Sequence, residues 1–298
     1  MKKYLVFAIL FFALGGIAVS AVWAQQQQTA IVAGWNILGV DPIPDDRISR
    51  IADVIRTINP DLIVLTEVND DEVPRKIVKA LGSKYQSPVI FKQNAEVVQN
   101  IAFVFKKGVK VTDAKLIENT DLAEEPRSRK ALTANVRIGK FDFILIGVHL
   151  KSSRDNASRA KRTRQATTIA DFIRQATAKK EKDVLVIGDY NMIPRSGDTA
   201  NDEANFSALS PDNFLRFVST DSLLGQPSHI DRCSPSLRGN LLDGFAISRQ
   251  HTEREYVAES TKLMSFAELQ TDCAAYSREV SDHLPVVSQF FVNKKDDD

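Results

Sequence analysis

The chain has 298 residues, 43% hydrophobic and 26% charged, with a formal net charge of +1. That composition excludes a disordered or fibrous chain and leaves length for one large core or two small ones. Near-neutrality excludes a general polyanion binder, so any contact with nucleic acid has to come from a local patch.

The N-terminus reads MKKYLVFAILFFALGGIAVSAVWAQQQQ, with Lys2 and Lys3 ahead of an apolar run and Val22 and Ala24 near its end. This is the layout of a secretory signal peptide over residues 1–24, followed by a polar spacer at 25–28. The apolar stretch is nearly long enough to span a bilayer, which keeps a retained anchor as the alternative. Cleavage after Ala24 removes Lys2 and Lys3 and takes the charge from +1 to −1. Export places the two cysteines, Cys233 and Cys273, in an oxidising compartment, where they either pair or stay free.

AIVAGWNILGV then reads as a β-branched strand. In PDDRISRIADVIRTINP, Asp45 or Asp46 caps a helix whose Ile48, Ile51, Ile55 and Ile58 recur at helical spacing, and Pro60 stops it. DLIVLTEV is a continuous apolar run, expected as a strand buried on both faces. NIAFVFKK, VTDAKLIEN and KALTANVRIG are further strands. The opening order then returns: FDFILIGVHLKS as strand, RQATTIADFIRQATAKKEK as helix, DVLVIGDYN as buried strand. Placing IADVIR over IADFIR matches Asn36 with His149, Glu67 with Asp189, and Asn69 with Asn191. All six are polar groups at strand ends, where α/β architectures build sites. Pro194 to Asn213 is polar and expected as surface loop. NLLDGFAIS is a strand with Asp243 inside it, EVSDHLPVVSQFFV is the last strand, and residues 294–298 are a charged tail. No linker divides the chain, so one domain is expected over residues 29–293.

The polar interruptions of these apolar strands are Asn36, Glu67, His149, Asp189, Asn191, Asp243, Asp282 and His283. Desolvating an unpaired carboxylate is costly, so four carboxylates and two imidazoles at strand ends need a common cause. A hard divalent cation with a phosphate supplies one; oxygen ligands suit Mg²⁺ or Mn²⁺, and no Cys/His spacing suits zinc.

GWNI, LTEV, GVHLKS, GDYN, LLDGFAIS and SDHLPV, in that order, resemble the motif series of the endonuclease/exonuclease/phosphatase superfamily, which includes pancreatic-type deoxyribonucleases and sphingomyelinases. The resemblance covers essentially the whole mature chain. It implies an α/β fold, a four-layer sandwich of two mixed β-sheets packed face to face with helices outside. Its two similar halves agree with the repeat. By the same resemblance, Glu67 is the principal metal ligand, with Asn36 and Asp282 in the metal and phosphate shell. His283 is the essential histidine and Asp243 the carboxylate that orients it. Asp189 and Asn191 position water and scissile phosphate, and His149 bonds a phosphate oxygen. Arg129 is matched to a phosphate-contacting arginine, a place Arg127 can also fill. The chain departs from pancreatic-type enzymes around EVVQNIAFVF, where Gln99 and Asn100 stand nearest and no glutamate partner for His149 is evident.

Lys151, Arg154, Arg159, Arg162 and Arg164 follow His149 closely; they either guide a polyanion to the site or form a solvated loop and first helical turn. Trp35 is expected in the core, and His229 and His251 as bystanders. Together these features imply a secreted, Mg²⁺-dependent phosphodiesterase with nucleic acid as substrate. Phospholipid headgroups or small phosphate esters are the alternative. A non-catalytic binding protein would have lost some of these site residues, and all of them are present.

Overall fold

The computed structural model describes residues 27–39, 44–93, 96–97, 99–179, 181–194 and 202–294. The expected signal peptide, the start of the spacer and the tail beyond Lys294 lie outside the described residues. The chain begins with β1 (Thr29–Asn36), α1 (Asp45–Ile58), β2 (Leu62–Val68), α2 (Glu72–Leu81), β3 (Val89–Ile90), β4 (Asn100–Phe105) and β5 (Lys110–Leu116). It continues through β6 (Leu132–Ile138), β7 (Phe141–His149), α3 (Asn156–Thr177), β8 (Val184–Asp189), α4 (Glu203–Leu209), β9 (Leu215–Arg216) and α5 (Val218–Leu223). A hairpin follows, β10 (His229–Arg232) and β11 (Arg238–Asn240). The last elements are β12 (Asp243–Ser248), β13 (Lys262–Leu263), α6 (Cys273–Glu279) and β14 (Val286–Phe291).

Two six-stranded sheets form, in the orders β13-β14-β1-β2-β4-β3 and β5-β6-β7-β8-β12-β9, with β10-β11 apart from both. Each sheet has a central parallel pair flanked by antiparallel strands. β1 and β2 lie between β14 and β4; β7 and β8 lie between β6 and β12. A crossover helix, α1 or α3, joins each parallel pair, so the short sequence repeat marks two halves of the same topology. Parallel pairing needs such a crossover and buries both strand faces, which is why β2 and β8 read as unbroken apolar runs.

Val32, Val64, Phe103, Leu145, Leu185 and Phe245, all 0% exposed, fill the space between the sheets. Ile51, Ile55 and Ile77 on α1 and α2 cover the outer face of the first sheet against Trp35 and Leu65. Ala166, Ile169 and Ile173 on α3 cover the second against Ile146 and Val186. Four layers result. At ~1.5–3 kcal/mol for each large apolar side chain removed from water, these faces fix the sandwich.

Three local expectations are corrected. Neither Asp45 nor Asp46 caps α1: the helix begins at Asp45, its N-cap is Pro44, and no side chain bonds there. The two carboxylates sit instead in the first turn, where they favour the positive end of the helix dipole. The stretch from Pro194 to Asn213 is not all loop, because α4 and a 3₁₀ turn at Pro211–Asn213 lie in it. Residues 195–201 are outside the described residues. Asp243 opens β12 rather than interrupting it, and its register partner is Asp189 at the end of β8.

Candidate active site

Because β1, β2, β7 and β8 run in parallel pairs, Asn36, Glu67, His149 and Asp189 all emerge at strand C-terminal ends. β12 and β14 run antiparallel to their neighbours, so Asp243 at the start of one and Asp282-His283 ahead of the other arrive at the same end. A regular strand would still aim some of these side chains into the sheet. At Glu67 the pairing of β2 with β4 slips between Leu65 and Val68, and Glu67 has a left-handed φ of 58°. A bulge of this kind breaks the two-residue alternation and re-aims a side chain, and backbone strain in a non-glycine residue collects at functional sites. Asn191 has a φ of 51°, and its N–H donates to Asp189 Oδ1 at 2.8 Å. Gly188 has a φ of 141°, and a Cβ there would stand 2.0 Å from the Val148 carbonyl oxygen.

The centre is a buried pair, with His283 Nδ1 2.6 Å from Asp243 Oδ2. Ser228 Oγ donates to that same carboxylate oxygen at 2.8 Å and accepts the Leu242 and Asp243 N–H groups at 2.9 and 3.0 Å. The histidine's backbone is also fixed: its carbonyl accepts Trp35 Nε1–H and Tyr276 O–H, each at 2.8 Å. Ser281 Oγ accepts the His283 N–H at 3.0 Å and donates to the Asn36 carbonyl at 2.7 Å. Trp35 is thus in the core, as expected, and helps seat the histidine. Burial opposes charge on His283, but the carboxylates of Asp243, Asp189 and Asp282 outweigh it and raise the imidazole to about 10. Asp189 is pushed up, first by burial and then by Asp243.

Asn36 bridges two carboxylates, its amide donating to Glu67 Oε1 and Asp189 Oδ2, each at 3.1 Å. Its side-chain oxygen Oδ1 accepts Leu38 N–H at 2.9 Å, so it spaces the acidic groups. His149 is 4% exposed, with Nε2 3.7 Å from Glu67 Oε1 and 3.6 Å from Asp189 Oδ2. Burial, then Arg129 and His283, hold its pKa well below the ordinary value. Gln99 provides no carboxylate for it and instead accepts from Arg129 Nη1 at 2.9 Å. Arg129 also donates to the His149 and Leu150 carbonyls at 2.9 and 3.0 Å, and burial lowers it to about 10 against the pull of Asp189 and Glu67.

Glu67, Arg129, His149, Asp189, Asn191, Asp282 and His283 line one cavity of about 290 Å³, with Arg154 at the wall. A larger hollow of about 410 Å³ between α3 and Arg249 is lined mainly by apolar groups and lacks such a cluster. Among the described residues, Asp282 Oδ1 and Asp243 Oδ1 are buried without a hydrogen-bond partner. An orphaned Asp282 oxygen in a cavity that Glu67 also lines fits a hard divalent cation, and Glu67 and Asp282 are the residues that would hold it.

One open reading is narrowed here and one expectation fails. The basic segment after His149 is mostly consumed by ion pairs. Arg159 and Arg162 meet Asp202 at 2.9 and 3.1 Å, Lys151 meets Glu125 at 3.5 Å, and Arg164 pairs with Glu124. Lys151 does not line the cavity, and Arg162, 1% exposed, is a core residue. His229 is no bystander: it lines the cavity, with Nε2 3.7 Å from Asp282 Oδ2 and its ring 4.8 Å from that of His283. Ser228 and His229 sit in PSHIDR, a stretch with no motif; the Ile230 N–H bond to the Asp282 carbonyl, 2.7 Å, is what brings them in. Cys233 and Cys273 form a disulfide with Cα atoms 5.7 Å apart.

A family model described as Endonuclease/Exonuclease/phosphatase family matches residues 33–283. No curated protein matches by sequence. Among solved structures, D. rerio TDP2 complexed with a single-strand DNA product superposes with a TM-score of 0.65 at 17% identity, covering 88% of this chain and 98% of that one. The human Nocturnin catalytic domain with bound sulfate gives 0.62 at 20% identity, covering 89% and 97%. A mannosyl-6-phosphatase of Bacteroides thetaiotaomicron gives 0.61 at 14% identity, covering 88% and 99%. At these identities the likeness is one of fold.

Proposed function

The chain belongs to the endonuclease/exonuclease/phosphatase family, and on that premise we propose that it is an exported, Mg²⁺-dependent phosphodiesterase that cleaves nucleic-acid strands. Members of the family are phosphoric ester hydrolases that use divalent metals, so the reaction class follows from membership. The observation that carries the reading is His283, buried against Asp243, lining one small cavity together with Glu67 and Asp282. Export is supported by the N-terminal segment, and the Cys233–Cys273 disulfide fits an oxidising compartment.

Mg²⁺ held by Glu67 and Asp282 would neutralise phosphate charge and acidify a water. The remaining work falls to the chain. With its carboxyl raised, Asp189 takes a proton from the attacking water, and Asn191 N–H fixes its other oxygen. His283 is protonated at neutral pH, and its Nε2 side faces the cavity as a cation for a phosphate oxygen and a proton source for the leaving oxygen. Arg129 supplies a fixed positive charge, and neutral His149 a hydrogen bond.

Likeness in fold to TDP2 with bound single-strand DNA supports the nucleic-acid substrate. The neutralised basic segment favours a second reading, in which the ester is a phospholipid headgroup or a small phosphorylated solute. Plasmid nicking by the protein from Gln25 onward, with Mg²⁺ or Mn²⁺ and with EDTA, decides between them. Metal-dependent nicking that His283→Ala lacks supports the nuclease. Hydrolysis of bis(p-nitrophenyl) phosphate without nicking moves the substrate to the second class.

A further inference from the structure

The hairpin β10–β11 breaks a local rule of sheet pairing. Its register sets Arg232 directly opposite Arg238, and like charges in that position are destabilising. Both are exposed, and neither side chain makes an ion pair or hydrogen bond among the described residues. Asp231, the hairpin's one acidic residue, does not relieve them. It is engaged by His229 Nδ1 at 3.3 Å, Asn240 Nδ2 at 3.4 Å and Arg154 Nη2 at 3.9 Å.

The two arginines also stand on the side of the hairpin that meets the site. His229 and Asn240 are register partners and both line the cavity. Arg238 is two residues from Asn240, hence on the same face and ~7 Å further along the strand. The register shift between Ile230 and Arg232 absorbs one residue. It turns Arg232 to the face of Arg238 and leaves Ile230, 5% exposed, packed in the core. The arm is held rigidly although residues 234–238 are exposed. Ile230 N–H bonds the Asp282 carbonyl and Leu284 N–H bonds the Ser228 carbonyl, each at 2.7 Å. Cys233, the next residue after β10, is tied to α6 by the disulfide.

A fixed arm that holds two uncompensated guanidiniums together calls for an anion, and local rules are broken where function requires it. The Arg238 Cα lies ~7 Å further along the strand than that of Asn240 at the cavity wall, which suits a phosphate neighbouring the scissile one. At ~3.4 Å of axial rise per nucleotide in a duplex, that distance is about two steps along a strand, and fewer along an extended single strand. We propose that β10–β11 is a strand-gripping arm, in which Arg232 and Arg238 bind the phosphate one to two nucleotides beyond the scissile one. The substrate is then a nucleic-acid strand rather than a headgroup or small ester with a single phosphate, which has no second phosphate for the arm to hold. This rests on the phosphodiesterase reading above.

The test compares a labelled single-stranded oligonucleotide with bis(p-nitrophenyl) phosphate, which is too short to reach the arm and reads the hydrolytic centre alone. In Arg232→Gln/Arg238→Gln, KM for the oligonucleotide should rise about tenfold, and the salt slope of log(kcat/KM) should become shallower by ~0.7, the value for one phosphate contact on a single strand. Arg232→Glu places opposite charges across the hairpin, so its Tm should hold or rise while its oligonucleotide KM also rises. A merely structural role would move Tm and both substrates together. Oligonucleotide kinetics and a salt slope equal to the parent's in the double variant would overturn the arm. Parent protein that hydrolyses the small diester but no oligonucleotide would overturn it too, with the hydrolytic centre left standing. Failure on both substrates would remove the phosphodiesterase reading and the arm with it.

Discussion

Removing the Asp202 carboxylate should cost more stability than any exposed charge in the protein. Asp202 is 3% exposed and Arg162 1%. One Asp202 oxygen accepts from Arg162 Nη2 at 3.1 Å and Arg159 Nε at 2.9 Å, and the other accepts Ile193 N–H at 2.8 Å. Arg162 in turn donates to the Lys151 and Ser153 carbonyls at 2.8 and 2.7 Å. The pair therefore clamps the two loops that follow His149 and Asn191. Asp202→Ala strands the Arg162 guanidinium in the interior, and breaking a buried pair from one side costs about 3–5 kcal/mol. Against a total of about 5–15 kcal/mol, that is a large fraction. In urea, at an m-value of roughly 3 kcal/mol/M, a loss of about 4 kcal/mol lowers the midpoint by roughly 1.3 M. Replacing both partners, as Asp202→Leu with Arg162→Met, should recover most of the stability, because no fully buried charge is left unpaired and Arg159, 30% exposed, can reach water. It does not restore the hydrogen bonds to Lys151, Ser153 and Ile193, so KM for bis(p-nitrophenyl) phosphate should stay raised. A loss below about 1 kcal/mol in Asp202→Ala would mean that water reaches Arg162, and the clamp argument would fail.

Asp243→Asn removes the charge that holds His283 protonated. Turnover should fall about 10²–10⁴-fold, and the alkaline limb of the pH profile should move to lower pH; an unmoved limb would refute the pairing. In metal-free protein, His283 is raised from 6.5 to about 10, so its contribution is complete below about pH 6.5 and is lost as pH climbs towards 10. Asp189, raised from 3.8 to about 7, loses its contribution earlier, between about pH 4 and 7. Tm measured in EDTA should therefore fall between pH 7 and 10, and a flat curve there would count against the His283 assignment. Cys233→Ala with Cys273→Ala opens a loop whose ends are 40 residues apart. On the chain-entropy model this costs about 4 kcal/mol, and a change in urea midpoint much smaller than that implies would show that the reduced chain is constrained by other means.

Much of the site was legible from the chain alone. Carboxylates and imidazoles are expelled from apolar strands unless something compensates them, so Glu67, Asp189, Asp243 and the Asp282-His283 pair stand out as interruptions at strand ends. The same desolvation rule makes β2 and β8 readable as doubly buried strands, and with them the two matched halves. The hydrophobic period likewise located α1, though not the start of its cap, because Pro44 and the first-turn carboxylates satisfy that end without a side-chain bond.

What sequence could not decide is which charges meet. Arg159, Arg162 and Arg164 looked like a basic patch because their partners are remote: Asp202 is 40 positions from Arg162, and Glu124 is 40 from Arg164. Whether a guanidinium attracts a substrate or closes a core depends on what folding brings within ~4 Å, and local spacing carries no record of that. His229 is the converse case, a histidine in loop-like sequence that a backbone bond to Asp282 carries into the cavity. Residue types and their periodicity thus determined the layers and the reactive groups. Only the tertiary structure assigned the counter-charges, because electrostatic pairing is set by distance in space and by burial.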